Sequence, residues 1–313
     1  MSLLAARDIN AWIPVPLDAT VLGGVPATSA IRAVAMSRNM TSDTLEVPSL
    51  WDADVDEGET LVEDSNDAGK RTMYSRLFNG KQTLSEDKVE DSVANPMLAY
   101  AQRWLTKLWV SFDNASIGVT GARSATIGDY RPYTSIYRAV RENDSQTGYS
   151  ADTNYLSDAL TYDTTSTVMG MVEMGDMFDE GSGVWLAHPA LKDALRKIKD
   201  LNDEPIFKDP SGAVVTSTLH GRPINWTRGS RTSANFKTLQ SNPLLVYVNR
   251  QYLTMGNRIA PQTRFIDAST NTTVLAHTLQ HRARLGFTLG APGAAGVLEV
   301  TSGGLGVEGR YWS

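Results

Sequence analysis

The sequence predicts an α+β chain. Three observations carry that expectation: an apolar stripe at helical spacing between Ser85 and Phe112, a strand–proline–helix unit over Val184–Phe207, and a long alternating β-branched run over 262–289. With 313 residues and 41% hydrophobic content, one large domain or two ordinary ones can form around a sizeable core. The absence of cysteine removes disulfides, thiolate metal sites and cysteine nucleophiles. A net charge of −6, from 29 basic and 35 acidic residues, speaks against a broad basic face that reads nucleic acid. The N-terminus has no basic stretch followed by an apolar one, and no run approaches the ~18 apolar residues of a membrane helix. A soluble protein made in the cytoplasm, without membrane contact, is therefore expected.

Residues 1–31 are punctuated by Pro14, Pro16, Gly23, Gly24 and Pro26, so an extended leader is expected. Its apolar side chains (Leu3, Leu4, Trp12, Ile13, Val15) are too many for a solvated tail and must pack on their own domain or on a neighbour. A strand follows within 32–48. Between Asp43 and Asp67 stand ten carboxylates (Asp43, Glu46, Asp52, Asp54, Asp56, Glu57, Glu59, Glu63, Asp64, Asp67) and no Lys or Arg; Lys70, Arg71 and Arg76 come after. Such a stretch cannot order itself by burying apolar surface. It is a solvated acidic loop, or it is laid on a basic partner surface. Asp52, Asp54, Asp56 and Glu63 fall at the first, third, fifth and twelfth positions of a calcium-binding loop, but Glu57 occupies the sixth position, where the turn needs glycine, so no calcium site is expected.

The stripe Val89, Val93, Met97, Tyr100, Trp104, Leu105, Leu108, Trp109 and Phe112 predicts a helix over 85–112, with Ser85 as N-cap and a kink or a short break at Pro96. Over 163–178, Val168, Met171, Val172 and Met174 predict a helix capped by Asp163 or Thr164, its methionines serving the core. VWLAH (Val184–His188) predicts a buried strand, Pro189 the first position of a helix, and Leu191, Leu195 and Ile198 its buried stripe opposite Lys192, Arg196, Lys197 and Lys199. Residues 244–258 predict two strands about a turn. In the run 262–289, Gln280, Arg282 and Arg284 share one face, and His277, Leu279, His281, Ala283 and Leu285 the other.

Chemistry-bearing motifs do not assemble. Gly69-Lys70-Arg71 lacks the leading glycine and the Ser/Thr of a phosphate loop, and Gly304, Gly306 and Gly309 leave no room for the helix that would take a phosphate. His277 and His281 lack a carboxylate or third ligand, and His188 beside Pro189 reads as a packed turn residue. No nucleophile, base and oxyanion donor come together, so no enzyme, cofactor or metal is expected.

Four stretches in order resemble the major capsid proteins of tailed double-stranded DNA bacteriophages, the Hong Kong 97 type of fold. They are the helix ending in Asp113, Asn114 and Ala115; RPYTSIYRAV (Arg131–Val140); VWLAHP with its basic helix and "P-I-F" at Pro205–Phe207; and LHGRPINW (Leu219–Trp226). Arg284 and Gly286, before a Gly/Ala-rich return, add a fifth. The resemblance implies an N-arm (1–31), an E-loop with flanking P-domain strands (32–84), a P-domain spine helix (85–118) and an A-domain (119–258). It continues with a long P-domain strand (259–289), then a return strand and flexible tail (290–313). It implies subunit contacts through Leu3, Leu4, Trp12, Ile13 and Val15 of the arm, and through Trp51, Asp52, Asp54, Asp56, Glu57, Glu59, Glu63, Asp64, Lys70 and Arg71 of the loop. The expected function is assembly of pentamers and hexamers into an icosahedral virion shell around double-stranded DNA, bound without sequence specificity. Portal protein, and scaffolding or decoration proteins, are the implied partners, with scaffolding supplied separately or already removed. Some relatives join Lys and Asn side chains between subunits; Lys70 is the candidate Lys, but no Asn or assisting Glu is identified and no crosslink is expected. An encapsulin compartment of the same fold is the alternative, and a hydrolase with a dispersed site a more distant one.

Overall fold

A computed structural model describes residues 28–50, 68–85, 96–118, 134–145, 147–175, 177, 179–200, 202–210, 216–232, 242–266 and 276–301. The chain divides into two compact units. One comprises Met1–Pro26, Asn79–Leu105 and Thr263–His281, the other Ala27–Phe78, Thr106–Gln262 and Arg282–Ser313.

The larger unit holds a seven-stranded sheet in the order β4-β12-β9-β5-β8-β7-β6. Its strands are β4 (Tyr155–Asp158), β5 (Gly183–Ala187), β6 (Phe207–Lys208), β7 (Thr218–Leu219), β8 (Arg222–Trp226), β9 (Leu244–Asn249) and β12 (Ala295–Val300). β5, β9 and β12 are buried at every position, which is why β5 (GVWLA) and the first five residues of β9 (LLVYV) read as continuous apolar runs without alternation. β9 runs antiparallel to both β5 and β12, pairing Tyr247 with Trp185 and Val246 with Val297, while β5 pairs parallel with β8. Trp185 and Tyr247 pack ring against ring at 4.8 Å in the core, and the Trp185 indole donates to the Leu219 carbonyl at 3.1 Å, so its one polar atom is satisfied.

Helix α4 (Tyr162–Glu173) lays Val168 and Val172 on this core. Its N-cap is Thr161, not Asp163 or Thr164. Thr161 accepts from the Thr164 N–H while Thr164 accepts from the Thr161 N–H, and Asp163 sits in the first turn. His188 caps the short turn Pro189–Leu191, its Nδ1 accepting from Ala190 N–H at 3.1 Å, and helix α5 (Lys192–Lys197) follows with Leu191 and Leu195 fully buried. The remaining helices are α1 (Ala30–Val34), α2 (Pro96–Ile117) and α3 (Ile136–Arg141).

The second sheet has five strands in the order β1-β10-β11-β3-β2: β1 (Met36–Asn39), β2 (Thr44–Leu50), β3 (Ala68–Ser85), β10 (Leu253–Ile266) and β11 (Ala276–Leu289). β2 and β3 pair antiparallel from Thr44↔Tyr74 to Leu50↔Ala68. In the larger unit Met40 and Met73 lie over Gly256 and Gly286; a Cβ on Gly256 would stand 2.3 Å from the Met40 sulfur. Phe112 of α2 is fully buried and meets Phe78 edge-on at 6.3 Å. In the smaller unit Trp104 stacks on His281 at 4.8 Å, and the His281 ring is fixed by Thr263, 2.8 Å from Nδ1.

Several expectations need correction. Ser85 ends β3; residues 86–95, where the expected first turns fall, lie outside the described residues, and the described part of α2 begins at Pro96, where the missing N–H costs no hydrogen bond. The apolar stripe ends at Phe112, and the helix runs on through Asp113–Ala115 to Ile117. The run 262–289 is not one strand but parts of two sheet neighbours, β10 ending at Ile266 and β11 starting at Ala276. The expected alternation does hold from Leu279 to Leu285. Leader residues 1–27, the acidic stretch 51–67 and the glycines 304–309 lie outside the described residues.

Candidate functional site

A buried polar cluster forms where α2 ends. Asp113 and Asn114 occupy the last turns of that helix, 1% and 2% exposed. The Asp113 carboxylate accepts four hydrogen bonds: from Ala30 N–H at 2.9 Å, Ile31 N–H at 3.4 Å, Thr227 Oγ1 at 2.6 Å, and the Ser29 hydroxyl. Ser29 in turn accepts from Arg32 N–H at 3.0 Å, and Thr227 from Gly229 N–H at 3.1 Å, so each hydroxyl has its proton left for Asp113. Asn114 works outward in the other direction, its Nδ2 donating to the carbonyls of Gly229 at 2.9 Å and Arg231 at 3.2 Å. One helix end thus holds two distant segments: residues 29–31, where the leader enters the fold, and the turn 227–231.

Two glycines let the backbones come this close. A Cβ on Gly229 would stand 2.5 Å from the Asn114 nitrogen, and one on Gly118 would stand 1.9 Å from the Arg231 carbonyl oxygen. Burial pushes the Asp113 carboxyl up to about 6, against the downward pull of its four donors. At neutral pH it is a carboxylate held by donors alone.

A second polar knot went unsignalled in the sequence. Glu299 of β12 accepts from Tyr137 at 2.7 Å, Tyr155 at 2.5 Å and Asn242 at 2.6 Å, joining α3, β4 and the start of β9 to the strand between them. Burial raises the Glu299 carboxyl, but the three donors more than offset it and leave it below the usual range. Its partners are spread over more than a hundred residues of sequence, so no local pattern could reveal it.

Of the residues expected at subunit contacts, Leu3, Leu4, Trp12, Ile13, Val15, Trp51, Asp52, Asp54, Asp56, Glu57, Glu59, Glu63 and Asp64 lie outside the described residues. Lys70 pairs with Glu46 at 2.9 Å with both side chains more than half exposed, a contact of little stabilising value. Arg71 is turned into its own chain, donating to the Gly290 carbonyl at 3.0 Å and pairing with Asp144. His281 is buried on Trp104, and His277 stands beside Phe265. Among the described residues no group of three His, Asp or Glu could hold a metal ion, and no helix is long and apolar enough to cross a membrane.

The model of the phage capsid family matches residues 10–276. The chain belongs to the phage capsid family. It is a major capsid protein, a building block of an icosahedral shell. No curated protein sequence matches, but solved structures do. The capsid of a native GTA particle superposes with a TM-score of 0.68 at 14% identity, covering 96% of this chain and 99% of that one. Mycobacterium phage Adephagia gives 0.68 at 15% identity, covering 96% and 99%, and Gordonia phage Cozz 0.68 at 14%, covering 97% and 96%. At such identities the likeness is one of fold, and the α+β capsid fold expected from the sequence is the one observed.

Proposed function

We propose that this capsid protein assembles as pentamers and hexamers that close around double-stranded DNA, as a component of the virion made in the host cytoplasm. The observation that supports this most is the family match over residues 10–276, with two-way coverage of whole capsid subunits. In this reading residues 1–31 act as an arm and the stretch Asp52–Asp64 as a loop, both ordered on neighbouring subunits, with Leu3, Leu4, Trp12, Ile13 and Val15 making the arm's apolar contacts. Each contact is modest, but every subunit makes several at once, so the closed shell outlasts any isolated pair. Head-to-tail contacts that close into rings suit such assembly. The role is structural, with no catalysis of its own, and portal, scaffolding and decoration proteins are its partners.

The Asp113 cluster gives the arm a fixed root. Residues 29–31 are pinned to the spine helix by a buried carboxylate, so residues 1–28 leave from a defined point. Negative-stain imaging and sedimentation of the purified protein test the reading. Closed shells of uniform size that protect DNA from nuclease are expected; a monodisperse monomer at high concentration, or shells filled with an enzyme cargo in place of DNA, would overturn it.

A further inference from the structure

Of the four histidines, His281 alone is fully buried, 2% exposed. It lies in the smaller unit, on β11 between β10 and β3. Its ring is flat against the Trp104 indole of α2, the centroids 4.8 Å apart and the planes 13° from parallel. On the β10 side Nδ1 meets Thr263 Oγ1 at 2.8 Å. On the β3 side stands Gly80, where a Cβ would come within 3.7 Å of the ring's Cδ2 and 2.8 Å of Trp104 Nε1. Only a residue without a side chain leaves room there for indole and imidazole together.

The second ring nitrogen, Nε2, is buried and has no hydrogen-bond partner among the described residues. Gln82 follows two residues beyond Gly80 on the same strand face, but its Oε1 is likewise buried without a hydrogen bond, so it does not serve the ring. A neutral imidazole has a single N–H. On Nδ1 that proton is donated to Thr263, and Nε2 keeps a bare lone pair. On Nε2 it would be a buried donor without an acceptor, the costlier arrangement. A second proton therefore has one place to go, a closed slot.

That slot does not suit a charge. The groups that meet the ring are an indole from α2, a hydroxyl from β10 and the glycine backbone of β3, none of them titratable near neutral pH. Burial, with no charged neighbour acting on the ring, holds its pKa below the usual 6.5. The indole face attracts a cation, but by less than burying an unpaired charge costs.

We propose that His281 is a pH-operated clasp: neutral, it holds residues 96–105 of α2 on the sheet through Trp104, and a proton on Nε2 makes that stack let go. The proton enters when the stack opens, so acid traps the open form. The clasp is a property of the subunit's own fold and does not depend on the shell reading. A ring set free titrates near 6.5, so the clasp holds in full above that pH and weakens as pH falls below it. By pH 5 the open-to-closed ratio can rise by at most ~30-fold.

Amide exchange of the full chain, dilute and unassembled and corrected for the intrinsic effect of pH, reads the clasp segment by segment. Between pH 7.5 and pH 5, exchange within 96–105 and 276–281 should quicken about tenfold, while β5 and β9 in the larger unit keep their rates. A melt of the whole molecule would mix in His188, which is also held low, and Asp113, which is pushed up. His281→Phe keeps a ring beneath Trp104 and cannot take the proton, so its exchange should ignore pH. His281→Gln loses the stack and should exchange fast in these segments at both pH values. Wild-type rates that stay level, or a Phe variant that quickens as wild type does, overturn the clasp.

Titration of the histidine ring protons by NMR needs no variant. The ring in contact with the Trp104 indole should titrate below 6.5 and lose that contact as it does. A midpoint at or above 6.5, or a contact that survives protonation, overturns the clasp.

Discussion

Replacing Asp113 tests the junction on which the leader is anchored. In Asp113→Ala four donors lose their acceptor. The Ser29 and Thr227 hydroxyls can rotate, but the N–H groups of Ala30 and Ile31 are fixed by α1 and buried. Stranding two such donors costs ~2–6 kcal/mol. Against this, the variant is relieved of a buried charge. A carboxyl raised from 3.8 to about 6 represents about 3 kcal/mol of strain on its ionised form.

A folded-state value above the unfolded one means that this group's stabilisation is complete below pH 3.8 and lost as pH rises through 6. The alanine variant should therefore lie ~4 kcal/mol below wild type near pH 4, with the gap narrowing to ~1–2 kcal/mol near pH 8. Urea unfolding of the unassembled subunit, measured at half-unit pH steps for both proteins, reads the gap directly. A gap that stays constant would refute the burial argument. One that widens with pH would show the four donors outweighing desolvation.

Other substitutions probe neighbouring parts of the fold. Gly118→Ala drives a methyl into the Arg231 carbonyl and should cost ~3 kcal/mol in the same urea experiment, since backbone sits on both sides. Thr161→Ala removes half of a reciprocal cap and should cost ~1 kcal/mol, with faster amide exchange confined to the first turn of α4. His188 is held down to about 4 by burial, then by the charges of Arg231 and Arg228. Its contribution is thus present above pH 6.5 and lost as pH falls toward 4, opposite in sign to that of Asp113. His188→Asn should steepen the decline of stability with rising pH across that window, measured by unfolding midpoints.

The parts of the fold legible in the sequence are those whose signal is local. Val184–Ala187 reads as a buried strand because every side chain is apolar, and Pro189 marks a helix start because its ring suits only that position. The end of β3 was not legible, because Ser85 belongs to a β-strand although with Glu86 and Asp87 it reads as a capped first turn. The run 262–289 misleads because Thr263–Ile266 and Ala276–Leu289 alternate with the same period, and alternation is blind to where one strand gives way to its neighbour.

The junction was half visible. Asp113 to Ala115 stood out as a pattern, but what they hold, Ser29 and Thr227, lies 84 and 114 residues away. Glu299 with Tyr137, Tyr155 and Asn242 left no trace at all, since a polar knot made across distant strands has no spacing to read.

Strand β12 sits between β4 and β9, fully buried, although it comes last among the strands described. The seven-stranded sheet therefore has a gap one strand in from its β4 edge until residues 295–300 have left the ribosome. A half-made chain exposes the open edges of β4 and β9 and cannot yet present a finished subunit surface. Translation order thus acts as a timer, withholding each copy from premature polymerisation until β12 has been made.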